Sequence, residues 1–280
     1  MTRRPVAYLH ANRLHLRSRF IRGPISGFLF EALSFVIKQA WACLFGGMML
    51  ALLLGTYWFY PQGAELARYD FLTLSALTIQ IGMLVGGLET WEEAKVIFLF
   101  HIVGTIMEIF KTHYGSWIYP EPALLRIGGV PLFSGFMYAC VGSYIARIWR
   151  IFDFHFVRFP PLVLQTGLAV LIYVNFFTHH FGPDIRWALF IGAAILYGPC
   201  IILFKPDDVH RRMPLILGLV LVALMIWAAE NIGTYARAWA YPGQKSDWQM
   251  VSIAKLGSWF LLMIISFVLV SGMHLRRSCS

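Results

Sequence analysis

Charge is scarce in this chain. Only 13 % of its 280 residues are Asp, Glu, Lys or Arg, while 59 % are hydrophobic, and soluble domains carry about 25 % charged residues. This excludes a soluble domain of average composition, as does a mean hydropathy of +0.66. Cysteine is also scarce: Cys43, Cys140, Cys200 and Cys279 show no metal-ligand spacing, and three of them fall in apolar runs. A disulfide framework and a sequence-local metal centre are therefore not expected. No small-residue cleavage site follows the basic start, so residues 1–36 read as a retained cytoplasmic segment rather than a signal peptide. Within it Leu9, Leu16 and Phe20 share one helical face that Arg13 interrupts, giving at most a weak interfacial helix. The net charge of +9 comes from arginines clustered between apolar runs. That is the pattern of loops facing anionic lipid, and it excludes nucleic acid as a partner.

What the chain does have is long apolar runs, at about 37–59, 70–88, 94–114, 130–149, 161–179, 186–204, 213–235 and 250–272. A hydrocarbon core about 30 Å thick takes roughly 20 residues of helix, and lipid offers the backbone no partner outside a helix or a closed barrel. Prolines at 61, 120, 122, 160, 161, 183, 206 and 242 separate the runs. The expectation is an all-α, polytopic membrane helix bundle of about eight transmembrane helices. Arginine clusters at the N-terminus, at Arg147, Arg150 and Arg158, at Lys205, Arg211 and Arg212, and at Arg276 and Arg277 then fall on one side. The positive-inside rule makes that side cytoplasmic, with both termini there and a bacterial-type inner membrane as the location.

One polar stretch occurs twice. EIFKTHYGSWIYP (108–120) and ENIGTYARAWAYP (230–242) each place Trp nine, Tyr eleven and Pro twelve residues after a glutamate, at an offset of 122 residues that also relates Pro61 to Pro183 and Gly135 to Gly257. The expected organisation is two parallel four-helix repeats, 37–150 and 151–280, related by an axis along the membrane normal. Gly82 and Gly86 offer a small-xxx-small face for helix contact.

Intramembrane carboxylates are costly and usually face a polar cavity or the bundle interior, which nominates Glu108 and Glu230. His101, Thr105, Glu108 and Thr112 share one helical stripe that could relay protons. Lys111, three residues after Glu108, could instead pair with it, and His101 could be a hydrogen-bonded core histidine. The candidate acid–base set is Glu108, Glu230, His101 and Lys111. Trp117, Tyr119, Trp239 and Tyr241, with Tyr114, either form an interfacial aromatic belt or wall a substrate pocket. Glu89, Glu92, Glu93 and Lys95 read as a solvated turn. His179, His180 and Asp184 lack the spacing of a metal site, and Lys255 reads as snorkelling rather than forming a Schiff base.

On Glu108, Lys111, Tyr114-Gly115-Ser116-Trp117, Tyr119-Pro120-Glu121 and Gly129-Val130-Pro131-Leu132-Phe133-Ser134-Gly135-Phe136, the chain resembles the YoaT-like bacterial membrane proteins of unknown function over nearly its whole length. Glu108, Tyr114-Gly115 and Gly129-Val130-Pro131 are also similar to the outline of bisanhydrobacterioruberin-type hydratases and small membrane lycopene cyclases. The second resemblance implies that Glu108 and Glu230 are acids protonating a double bond. The reading is thus a membrane acid–base enzyme acting on an isoprenoid or other lipid-soluble substrate, with no cofactor identified. Its alternatives are a proton-coupled transporter and a non-catalytic lipid-binding scaffold.

Overall fold

The structure, a computed structural model, describes residues 23–244 and 246–278, with side chains to Met273. Arginines 3 to 22, the Leu9, Leu16 and Phe20 face, Lys245 and Cys279 lie outside the described residues, as do the side chains of Arg276 and Arg277. Helices dominate: α1 (Pro24–Ala42), α2 (Leu44–Phe59), α3 (Arg68–Val85), α4 (Trp91–His113), α5 (Phe133–Ile151), α6 (Leu162–Thr178), α7 (Arg186–Tyr197), α8 (Leu215–Tyr235) and α9 (Ala254–Ser278). Each apolar run contains a helix, but the expected count of about eight transmembrane helices does not hold. Among the described residues two helices are long and apolar enough to cross a membrane, Leu215–Tyr235 and Ala254–Met273, or three if α1 and α2 are taken as one broken span.

The reasons are local. Helix α4 carries Glu92, Glu93, Lys95, Glu108 and Lys111, while α6 and α7 are apolar but only 17 and 12 residues long. Helices α1 and α2 meet at Cys43 with a bend of 66°, just before Gly46 and Gly47, a pair of weak helix formers. Without eight spans the two parallel four-helix repeats fall as well. Run 186–204 is not continuous helix either: α7 stops at Tyr197, Gly198-Pro199 follows, and Ile201–Phe204 becomes strand β4. This strand pairs antiparallel with β3 (His155–Val157) on one side and β5 (Arg211–Pro214) on the other. A two-residue ladder, β1 (Arg126–Ile127) with β2 (Val130–Pro131), precedes α5. Many large apolar side chains are exposed, including Val85, Val163, Trp187 and Ile195 at 73 % or more, a surface suited to membrane association.

Helix α5 is central, packing along α4 and touching α1, α2, α3 and α9. Close approach to α4 comes from glycine. A Cβ on Gly104 would lie 2.5 Å from the Tyr138 ring, and one on Gly135 2.5 Å from His101. Gly82, expected at a helix contact, has nothing within 4 Å of where a Cβ would sit. Helix α4 starts at a capping box in which Glu93 N donates to Thr90 Oγ1 and Thr90 N to Glu93 Oε2. Acidic Glu92 and Glu93 in its first turn and Lys111 and His113 in its last suit the helix dipole.

The acidic turn before α4 is only partly the solvated, self-paired loop its composition suggests: Glu92 and Lys95 are exposed and pair with each other, while Glu89 and Glu93 are buried. Glu89 is 4 % exposed and Arg147, expected in a cytoplasmic cluster, is wholly buried. Arg147 Nη2 donates to Glu89 Oε1 at 2.8 Å and Nη1 to the Trp41 carbonyl at 3.1 Å. Ser143 Oγ donates to the same carboxylate at 2.6 Å and Gln80 to its other oxygen. One ion pair thereby joins α1, α3, the α3–α4 turn and α5.

Candidate functional site: two carboxyls capped by their own tryptophan and tyrosine

Both glutamates are buried, Glu108 at 4 % and Glu230 at 8 % exposure. Each is covered by chain that its own helix delivers. At the end of α4 the amide of Gly115 donates to Thr112 O and that of Ser116 to Lys111 O; at the end of α8 Arg237 donates to Thr234 O and Ala238 to Gly233 O. These are paired C-terminal caps of Schellman type, with Gly115 (φ +65) and Arg237 (φ +50) in the left-handed conformation such caps require. The chain then turns back and extends. In extended chain alternate side chains share a face, so residues nine and eleven after each glutamate both point at its carboxyl.

Trp117 Nε1 and Tyr119 OH donate to Glu108 Oε2 at 2.6 and 2.5 Å, while Tyr138 OH on α5 donates to Oε1 at 2.7 Å. Trp239 Nε1 and Tyr241 OH donate to Glu230 Oε1 at 2.9 and 2.8 Å. Burial, then the neighbouring glutamates, push the Tyr119 and Tyr241 phenols well up from their ordinary range, which keeps them protonated donors. The intervening residues pair with each other: Ile118 N donates to Ala240 O at 2.9 Å and Ala240 N to Ile118 O at 3.0 Å. Trp117 also meets the Tyr241 ring edge-on, 6.1 Å between centroids. The two carboxyl caps are thus one structure. Trp117 and Trp239, each 8 % exposed, are buried donors rather than members of an interfacial belt.

The other expected residues separate from this centre. Thr105 Oγ1 donates to the His101 carbonyl, and His101 Nδ1 is buried without a partner. No hydrogen bond among the described residues links His101 to Glu108. Lys111 does not pair with Glu108. Its Nζ sits 3.4 Å from His179 Nε2 and 3.1 Å from His180 Nε2, and 4.2 Å from the Phe176 ring centre. Burial, then the Lys111 ammonium, hold the His180 imidazole below its ordinary value. Tyr114 stacks on His180 and is not a ligand of either glutamate. Asp184 stands apart from both histidines, accepting from Asn175 and Arg186. Lys255 Nζ lies 4.9 Å above the Tyr241 ring.

Sequence reasoning missed Tyr138, whose place on α5 carries no local sign of a link to Glu108. It also missed the clamp over the site. Arg68 is buried, with Nη1 donating to Glu121 Oε1 at 2.5 Å, Nη2 to Ala236 O at 2.6 Å and Nε to Thr56 Oγ1 at 3.2 Å. Burial pushes the Glu121 carboxyl up, against the pull of Arg68. Asp70 accepts from the Leu124 and Leu125 amides at 2.9 and 2.7 Å. Together these hold the segment after Pro120 against α3 and the end of α8.

Two cavities flank the centre. One of about 230 Å³ is lined by Ile118, Pro120, Thr234, Arg237, Ala240, Gln244 and Trp248, directly beside the Ile118–Ala240 pairing. The other, about 470 Å³, is lined by Ile106, Ile109, Phe110 and Phe177 among others. Neither is lined by a glutamate.

Residues 31–267 match the model of the family described as protein of unknown function DUF817. The chain belongs to that family. It is also 43 % identical over 236 residues to the uncharacterized protein YoaT of Bacillus subtilis (strain 168), covering 84 % of this chain and 89 % of that protein. No solved structure matches. The family found is the YoaT-like one, and neither finding carries a carotenoid description.

Proposed function

We propose that this family member is a membrane-associated acid–base catalyst acting on a small lipid-soluble substrate, with both termini cytoplasmic. The observation carrying the proposal is a pair of buried carboxyls held only by neutral Trp and Tyr donors, with no cation bonded to either among the described residues. Among other buried carboxylates, Glu89 has its arginine, Glu93 meets Arg150 and Asp70 accepts from two backbone amides. A buried carboxyl without a cation exchanges a proton more readily than one locked in an ion pair.

The two environments suit different roles. Glu108 accepts on both oxygens, which favours it as the proton acceptor. All donors to Glu230 converge on Oε1, which leaves Oε2 to carry a proton and makes Glu230 the acid. Two carboxyls with divergent surroundings are a recurrent way to divide acid and base duties. The cavity of about 230 Å³ beside Thr234 is smaller than drug-sized pockets of roughly 300–1,000 Å³. It suits a headgroup or short branched chain better than a carotenoid-length polyene.

The test compares membrane lipid extracts, by mass spectrometry, from a deletion strain complemented with wild type, Glu230→Gln or Glu108→Gln. Both variants are expected to give the deletion profile. A wild-type profile from both, where the deletion differs from wild type, would sink the proposal. A second reading, proton-coupled transport, is favoured by the absence of both glutamates from the cavity walls. Proton-gradient-dependent uptake into proteoliposomes that both variants abolish, with lipid profiles unchanged, would select it.

A further inference from the structure

A second cluster of polar side chains lies at the small sheet, away from the glutamates. Asp153 follows the end of α5 in a left-handed conformation (φ +49), His155 opens β3, and His210 immediately precedes β5. With β4 antiparallel to both neighbours, the order β3-β4-β5 brings these three positions to one end of the sheet. One ligand atom from each lies within 4.8 Å of the others. His210 Nε2 is 3.3 Å from Asp153 Oδ2, His155 Nδ1 is 4.0 Å from Asp153 Oδ1, and the two imidazoles meet edge-on at 5.2 Å.

We propose that Asp153, His155 and His210 form a binding site for a divalent transition metal, with zinc the best fit. Tetrahedral zinc with bonds of about 2.0–2.1 Å sets its ligands roughly 3.3 Å apart. The His210 Nε2–Asp153 Oδ2 separation of 3.3 Å already matches, and the His155 ring, with its ligand atom within 4.8 Å of the other two, needs to close by at most about 1.5 Å. Two imidazoles and one carboxylate select Zn²⁺, Co²⁺ or Ni²⁺ over Ca²⁺ or Mg²⁺, which prefer oxygen throughout. All three residues are exposed, so ordinary imidazole rotation makes the adjustment and water completes the coordination. Both ring nitrogens now face the Asp153 carbonyl, at 3.1 and 3.3 Å. A metal would take these contacts over and pin the end of α5 to both outer strands. The site escapes a sequence scan because only two of its ligands are close in the chain, and the third is brought in by strand pairing.

The test uses the untagged full chain in detergent, stripped with chelator and then loaded with Zn²⁺ or Co²⁺. Metal retained after gel filtration is counted, and cobalt d–d absorbance reports the ligand geometry. One metal per chain and a raised Tm are expected for wild type and for His179→Ala/His180→Ala. Loss of both is expected for His155→Ala/His210→Ala and weakening by tenfold or more for Asp153→Asn, with circular dichroism unchanged because the residues are exposed. Metal-free wild type, or equal retention by the His155/His210 variant, overturns the proposal.

Discussion

Replacing Arg147 with methionine tests whether the buried ion pair organises the bundle. Methionine fills most of the space of the arginine stem but removes the charge, leaving Glu89 with only Ser143 Oγ and the Gln80 amide. With side chains 0 and 1 % exposed, the carboxylate cannot recover its hydration. Removing one partner of a buried pair costs about 3–5 kcal/mol. At roughly 2–4 °C per kcal/mol for chains of this order, the midpoint should fall by roughly 6–20 °C. Glu89→Gln alone should also destabilise, since it leaves a buried guanidinium without its counter-charge and with an Nε already unpartnered. The double variant removes both charges, so it should lie above the sum of the singles by a coupling of at least about 1 kcal/mol. The assay is thermal unfolding of detergent-purified wild type, both singles and the double, scored by the monodisperse fraction. If Arg147→Met melts within 2 °C of wild type, or the two substitutions add without coupling, the pair does not contribute as argued.

Gly115→Ala forces a β-carbon into the left-handed cap that aims Trp117 and Tyr119. It should cost about 1–2 kcal/mol and alter the Trp117 fluorescence environment, while Gly47→Ala in open space on α2 should gain up to about 1 kcal/mol; equal Tm values for the two would refute the cap. At the α6–α7 turn, burial would raise the Asp184 carboxyl, but the Arg186 amide, Asn175 and the Arg186 guanidinium hold it below its ordinary value. A depressed carboxyl contributes fully above its unfolded pKa of about 3.9 and loses that contribution as pH falls through the folded value. Intrinsic-rate-corrected exchange protection of the Arg186 amide should therefore hold above about pH 5 and drop as pH falls below about 4, and constant protection would contradict the assignment.

Helix positions were legible because prolines and apolar runs bound them, and every run of the sequence holds a helix. The number of membrane spans was not. Hydropathy sees Arg147 as a loop charge because it counts residues and not partners, and the partners here lie 58 and 106 positions away. Similarly, Ile201–Phe204 is apolar enough to extend a helix. A short apolar run cannot be told from a strand by periodicity, and its antiparallel neighbours at 155–157 and 211–214 decide the matter. At the site, the spacing from Glu to Trp and Tyr was visible and its meaning was not. An interfacial belt and a hydrogen-bonded cap use the same residues, and only the left-handed turns at Gly115 and Arg237 direct the rings inward. Lys111 was visible too, yet the three-residue spacing to Glu108 suggested a pair that the side chain forgoes for His179 and His180.

The two carboxyls are sealed differently, and the difference bears on how either could work. Trp and Tyr at nine and eleven residues belong to the same chain end as their glutamate, so those donors leave only if the helix cap unwinds. Tyr138 does not. It reaches Glu108 from α5, across an interface where Gly104 lets its ring lie against α4. A small shift of α5 along α4 would remove one donor from Glu108 and leave every donor to Glu230 in place, because Trp239 and Tyr241 come from the chain after α8. Proton affinity at Glu108 is thereby coupled to helix packing, whereas that at Glu230 is set by a local cap. On the proposed acid–base function, a pair in which one carboxyl follows a conformational coordinate and the other does not would pass a proton in a defined direction. Two equivalent carboxyls could not.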